Sequence, residues 1–288
     1  MLLPRLLERA KLCHTADPNG FLPWFVGEHK VGFVHGSREP LLATAGAPFV
    51  RTRGHWQLVG ADLEGRSAAL ARFANELAQA GMARTALGEL YPVEAPTAPA
   101  PLLAIDRAFV TWFGVRARGV HLNGLVRTPA GLRLWVAHRA RDKRTFPGHL
   151  DNLVAGGQPF GLSPEQTLAK ECHEEAGLPA SLAAAARQVA VLHYTQQDGT
   201  LWKPDTLVCF DLDLPADVTP RPVDGEVEAF ELWSVAQVVD SLAGDALWKP
   251  NCVLVVLDCL LRHGALDDRL TGRERLLLWH AVRGTSAG

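Results

Sequence analysis

Three glutamates stand together near the middle of the chain, in the run Lys170-Glu171-Cys172-His173-Glu174-Glu175-Ala176-Gly177-Leu178. On a helix turning about 100° per residue, Glu171 and Glu175 lie side by side and Glu174 one step further round. Like charges at this spacing repel by about 0.2–0.5 kcal/mol per pair when exposed. The penalty grows toward the core unless a cation sits among them. Hard carboxylate oxygens suit Mg²⁺ (or Mn²⁺), which binds through few carboxylates and shares phosphate oxygens. The chemistry such a site supports is hydrolysis of a phosphoanhydride, where a divalent metal neutralises phosphate charge and makes water nucleophilic. Glu171, Glu174 and Glu175 are therefore the candidate catalytic and metal-binding residues. An acidic helix face left in solvent is the plainer alternative.

The elements needed to position these carboxylates can be read around them. Ser163 is a natural N-cap, Pro164 suits the first helical position, and Gln166 completes a capping box. Gly177 stands where a left-handed cap ends a helix. Leu168, Ala169, Cys172 and Ala176 make one apolar stripe. Before the helix, Gly156 and Gly157 would let main chain approach metal and phosphate closely. Arg139, Arg141, Lys143 and Arg144 precede a Pro147-Gly148 turn, and basic groups there could hold phosphate oxygens. A later strand, DGEVEAFELWSV, offers outside carboxylates. Period two puts Glu226 and Glu228 on one face and Glu231 on the other, so Glu226 and Glu228 are the candidates for the extra metal ligand that the family resemblance described below implies, with a solvent-facing strand edge as the alternative. His138, His149 and His193 read as structural, and Trp112, Trp135, Trp202 and Trp248 mostly as packing residues.

These residues resemble the box of the Nudix hydrolases, G-x5-E-x7-R-E-U-x-E-E-x-G-U with U aliphatic. Gly156, Glu171, Glu174, Glu175, Gly177 and Leu178 fall in register; Leu162, Lys170 and Cys172 replace the first Glu, the Arg and an aliphatic residue. Lysine keeps the positive charge but not the bidentate fork of arginine. A wider pattern is similar to one Nudix subgroup, often labelled thiamine-pyrophosphokinase-related. It comprises GVHLNG (119–124), HRARDKRTFPGHLDNLVAGGQPFG, KECHEEAGL, DGEVE (224–228), KPN (249–251) and RHG (262–264). Arg139 and Lys143 match that pattern. The resemblance implies an α/β fold, the Nudix α/β/α sandwich with a mixed sheet, preceded by a small α+β domain of unknown function. It implies a metal ligand from the main chain at the Ala155-Gly156-Gly157 turn, and hydrolysis of thiamine diphosphate or its oxidised or toxic analogues to the monophosphate. Two alternatives stand beside it: a nucleotide-sanitising diphosphatase acting on 8-oxo-dGDP or 8-oxo-dGTP, and a catalytically weak Nudix-fold binding module.

The rest of the chain supplies a frame. Its 288 residues, 48% hydrophobic with a formal charge of −2, describe a globular protein with no global charge for nucleic acid. Five cysteines without metal spacing read as reduced thiols in a cytoplasmic protein. MLLPRLLERAKLC is too charged for a secretory signal, and Asp258 interrupts the longest apolar run, CVLVVLDCLL. The expected partner is a small-molecule diphosphate, with neither a nucleic-acid polymer nor a membrane; a homodimer is compatible with the sequence. Helices are expected over 6–13 and within GRSAALARFANELAQAG, the latter capped by Ser67 and stopped by Gly81. Strand pairs are expected over 24–34 and 49–60. PVEAPTAPAP (92–101) reads as a linker. These features divide the chain into an N-terminal α+β domain (1–104), a Nudix domain (105–250) and a C-terminal helical extension (251–288).

Overall fold

The computed structural model describes residues 1–52 and 54–284; residues 285–288 of the expected C-terminal extension lie outside the described residues. The chain runs α1 (Leu2–Lys11), β1 (Phe21–Val26), β2 (His29–His35), α2 (Glu39–Leu42), β3 (Phe49–Thr52), β4 (His55–Leu58), α3 (Leu63–Gln79), β5 (Leu90–Val93) and β6 (Leu103–Asp106). It continues through β7 (Ala117–Thr128), β8 (Gly131–Arg139), β9 (Leu150–Asp151), β10 (Val154–Gly157), α4 (Pro164–Ala176), α5 (Ala180–Ala183), β11 (Arg187–Asp198) and β12 (Leu201–Asp213). It closes with β13 (Val227–Ser234), α6 (Val235–Ala243), α7 (Pro250–Arg262) and α8 (Gly272–Arg283).

The larger sheet is mixed, in the order β11-β12-β7-β8-β13, with β10 added on β7 and β9 on β8. β12 runs parallel to β7, and the other pairs are antiparallel. Period two along the central strands splits their side chains between two layers. Val120, Leu122, Val126, Val208, Phe210 and Leu212 pack with Leu168, Cys172 and Ala176 of α4. Leu125, Leu207 and Cys209 face the other way, into a core shared with α1, α6, α7 and α8. The result is the expected helix–sheet–helix sandwich. α7 is buried along most of its length, and its one acid, Asp258, is fully buried between Arg262 (2.6 Å) and Arg283 (2.8 Å). Among the described residues, no helix is long and apolar enough to cross a membrane.

Among the described residues, the first hundred add no strand to that sheet. They form a four-stranded sheet, β2-β1-β4-β3, over a separate core containing Trp24, Phe49, Phe73 and Phe113. Three local expectations are corrected. Helix α1 ends at Lys11 rather than Cys13, and its Leu6 and Ala10 are buried against α6, α7 and α8, not in the N-terminal core. Helix α3 is capped by Asp62, whose carboxylate accepts from Gly65 N at 2.8 Å; Ser67 lies inside the helix, its hydroxyl donating to Leu63 O. Residues 92–101 are no free linker. β5 and β6 pair antiparallel, Tyr91 opposite Ile105 and Val93 opposite Leu103, so the proline-rich stretch is the closed end of a hairpin. Pro96, Pro99 and Pro101 lie in the loop, where proline interrupts no ladder, while Pro92 stands within β5 opposite Ala104.

Candidate active site

Helix α4 forms as its residues dictate. Ser163 Oγ accepts from Gln166 N at 3.2 Å, Gln166 Oε1 accepts from Ser163 N at 2.8 Å, and Gly177 ends the helix in the left-handed region with φ 62°. The stripe Leu168, Cys172, Ala176 is buried against the sheet and turns Glu171 and Glu175 toward the end of β10. Glu175 is only 6% exposed, and its Oε2 accepts from Ala155 N at 3.0 Å. Burial, with Asp151 and Glu171 nearby, holds its carboxyl well above the ordinary value despite that hydrogen bond. Burial also raises Glu171, against the pull of Lys170. Glu174 lines the same cleft but is half-exposed, and Lys170 Nζ one turn back binds it while also reaching Glu171 at 3.4 Å.

The glycines before the helix have a physical reason. A Cβ on Gly156 would overlap the Glu171 carboxyl group, and one on Gly157 would overlap the hydroxyl of Tyr91. Neither position has a positive φ; what glycine supplies here is space. Two crowded carboxylates beside bare main chain are a donor set that fits a hard divalent cation, whose charge would offset their mutual repulsion and burial.

The outside carboxylates separate. A bulge near Val227 breaks the alternation of β13. Glu226 lies on the rim of the cleft with Asp224, while Glu228 turns to Arg141, accepting from its N–H at 3.1 Å. Of the two, only Glu226 is brought to the α4 carboxylates, and Lys143 Nζ binds it at 2.9 Å. Lys143 thus reaches the site through Glu226. Arg139 is buried, donating to Asp151 Oδ2 at 2.9 Å. His193 and the four tryptophans do not line the cleft, and neither do His138 and His149.

Residues with no assigned chemistry in the sequence complete the floor. Lys249 Nζ lies 3.0 Å from Asp151 Oδ2, opposite Arg139. Burial alone would raise Asp151, but the two cations outweigh it and hold the carboxyl at about 2. His121, pushed down to about 4 chiefly by burial, bonds Asn152 Oδ1 at 2.9 Å and faces Asn251. His121, Asp151 and Cys252 bring ligand-type atoms together. Two cations already neutralise that carboxylate and burial keeps the thiol protonated, so the cluster reads as a supporting network rather than a metal centre. His121 and the Lys249–Asn251 triplet sit inside motifs that carried the family likeness; their buried setting is the signal that sequence lacked.

The cleft these groups line has a volume of about 850 Å³. Its walls come from both halves of the chain: Gly156, Glu171, Glu175 and Lys249 on one side, Glu89, Tyr91 and Arg107 on the other.

Against this geometry, comparison with known proteins is consistent. Residues 5–117 match a domain of unknown function, DUF4743, and residues 118–253 match the NUDIX domain. Nudix hydrolase 20, chloroplastic, of Arabidopsis thaliana is 37% identical over 94% of this chain and 76% of its own length. Nudix hydrolase 24, chloroplastic, of the same plant is 38% identical with the same coverage. Among solved structures, the NUDIX domain of Shewanella oneidensis NrtR complexed with ADP ribose aligns with a TM-score of 0.42 and 15% identity, covering 52% of this chain and 90% of that one. The chain belongs to the Nudix hydrolase family, and it is an enzyme of that type: a hydrolase of diphosphate bonds. The family generally works with divalent metals.

Proposed function

We propose that this protein is a Mg²⁺-dependent diphosphatase of small organic diphosphates, with thiamine diphosphate or its oxidised or toxic analogues as substrate and the monophosphate plus phosphate as products. The observation that carries the reading is the single cleft that joins the α4 carboxylates and the bare Gly156-Gly157 main chain to a wall of hydrogen-bonding groups. Its volume suits a small ligand with a ring and two phosphates. Glu171 and Glu175, with the Gly156 carbonyl, would hold the metal, with Glu226 on the rim and Glu174 released from Lys170 to join them. When bound, Mg²⁺ supplies charge neutralisation on the diphosphate and a water of lowered pKa. The protein's own share is positional. Ala155 N–H fixes one Glu175 oxygen. Asp151 holds Lys249 and Arg139 as paired cations at the floor, where phosphate oxygens would lie.

Carboxylates at the cleft wall, Glu89, Asp198 and Asp205, support a ring that is cationic or carries amino donors. Thiamine has both, a thiazolium and an aminopyrimidine. Five free, buried cysteines support a reducing compartment such as the cytoplasm, although the two plant relatives are named as chloroplastic. The test is steady-state kinetics on a panel of thiamine diphosphate, its oxidised forms and oxidised guanine nucleotides, with Mg²⁺ and with EDTA. The reading expects metal-dependent phosphate release, fastest with a thiamine-type compound.

A further inference from the structure

Part of the cleft wall belongs to the N-terminal domain, and it is built onto the catalytic domain rather than hinged to it. Tyr91 on β5 is 5% exposed, and its hydroxyl fills the space that a side chain at position 157 would occupy. Beside it, Arg107 lies over the ring at 5.9 Å and donates to Glu89 Oε2 at 2.9 Å. The wall is pinned at several points. Phe160 N donates to Leu90 O at 2.7 Å, Arg118 pairs with Glu94 at 2.6 Å, and Trp202 N donates to Thr111 O at 3.1 Å. Trp202 also packs on Phe21 and Phe33, with ring centroids 4.7 and 5.3 Å apart. Asp106 ties down the turn before β5, its carboxylate accepting from Leu87 and Gly88 N–H.

Two polar atoms facing the cleft are unspent, one on this wall and one on β12 of the catalytic domain. The Tyr91 hydroxyl makes no hydrogen bond to any described residue. Asp205 uses one oxygen for Tyr194 (2.7 Å), while its Oδ1 is buried without a partner. A buried acceptor left unpaired costs about 1–3 kcal/mol, which a ligand N–H could recover. Glu89, on the N-terminal wall, adds a second acceptor.

We propose that Tyr91 and Glu89 of the N-terminal domain, with Asp205 of β12, form the subsite for the organic half of the substrate, a heteroaromatic group carrying amino or cationic nitrogen, so that the N-terminal domain contributes to the specificity of the hydrolase. The subsite rests on the reading of the cleft as a diphosphatase site. Glycine at 157 then does two things: it leaves main chain free for the diphosphate and lets the tyrosine from the other domain reach it. The organic group lies against the N-terminal wall, and the diphosphate extends toward Gly156 and α4.

The test uses the full chain with Tyr91→Phe and Glu89→Gln. Glu89→Gln is isosteric and Tyr91→Phe removes a single oxygen atom, and the melting temperature checks that each variant folds. Binding of thiamine monophosphate is measured calorimetrically in EDTA, so the metal site and turnover do not enter. Each variant is expected to weaken binding about 5–10-fold, the worth of one hydrogen bond. On thiamine diphosphate with Mg²⁺ the loss should fall on KM rather than on kcat. Unchanged affinity in both variants overturns the subsite. A fall in kcat at constant KM also overturns it, because Tyr91 would then act by supporting the Gly156-Gly157 turn. If the wild type hydrolyses only oxidised guanine nucleotides, the thiamine reading fails, and the same affinity criterion is applied with the matching guanine monophosphate. A 5–10-fold loss there still upholds the subsite, and none refutes it.

Discussion

Replacing Glu175 by glutamine should separate the cost of the acidic site from its use. In the metal-free protein Glu175 is buried and held near Asp151 and Glu171, and burial with those charges raises its carboxyl well above the ordinary value. The amide is isosteric and can still accept from Ala155 N through its oxygen. What is lost is the like-charge repulsion, about 0.2–0.5 kcal/mol for an exposed i,i+4 pair and more where solvent is excluded. The metal-free variant should therefore melt at or slightly above the wild type, by roughly 1–3 °C. Mg²⁺ should reverse the order. A ligand at 100 times its Kd stabilises the folded state by about 2.7 kcal/mol, which corresponds to roughly 5–10 °C for a chain of this size. The wild type should gain that shift and Glu175→Gln most of it lose, with turnover falling at least 100-fold. Scanning calorimetry of both proteins, in EDTA and in a Mg²⁺ series, reads all four states. A variant that melts well below the wild type in EDTA, or that gains the full Mg²⁺ shift, would refute the assignment of Glu175 as a buried metal ligand.

Three further outcomes follow from the geometry. Lys249→Met leaves Asp151 with Arg139 alone, so urea unfolding should show a loss of about 2–3 kcal/mol, below the 3–5 kcal/mol typical when a buried charge loses its only partner. Gly157→Ala must displace Tyr91, which β5 holds in place, at a cost of about 1–3 kcal/mol; Gly157→Ala with Tyr91→Phe should recover part of it in a double-mutant cycle, and strict additivity would remove the contact from the account. Burial raises Asp211, but hydrogen bonds from Arg262, Asn123 and His263 outweigh it and hold the carboxyl below its ordinary value. A depressed carboxyl contributes stability that is present above about pH 4 and lost as pH falls through its folded value. The urea midpoints of the wild type and Asp211→Asn should therefore differ most near neutrality and converge on acidification.

Much of the site was legible because its signals are local. Ser163, Gln166 and Gly177 bracket α4 by short-range hydrogen bonds and backbone preference, and the 3.6-residue period pairs Glu171 with Glu175 whatever surrounds them. The alternating strands likewise announce a sheet with helices on both faces. Period two failed at β13, where a bulge sends Glu228 to Arg141 and keeps Glu226 at the cleft; a single inserted residue leaves no mark in composition. The proline-rich run looked like a linker because its residues are loop-formers, and only the pairing of β5 with β6 shows that the loop is closed. Ser67 was a sound cap by residue type, but Asp62 stands earlier and takes the role. Helix α1 showed its amphipathic face but not which core would receive it. Lys249, His121 and Tyr91 could not be assigned chemistry at all, because their partners lie far along the chain: 98 residues for Lys249 and Asp151, 31 for His121 and Asn152, and 66 for Tyr91 and Gly157.

The proposed activity is metal-dependent cleavage of a small organic diphosphate of the thiamine type. Its most direct test is kcat/KM for phosphate release from thiamine diphosphate and its oxidised forms, side by side with oxidised guanine nucleotides, in Mg²⁺ and in EDTA. EDTA should abolish turnover, and a thiamine-type compound should be the best substrate. A guanine compound better by about tenfold, or about 1.4 kcal/mol of transition-state preference, would contradict it, as would turnover that survives EDTA.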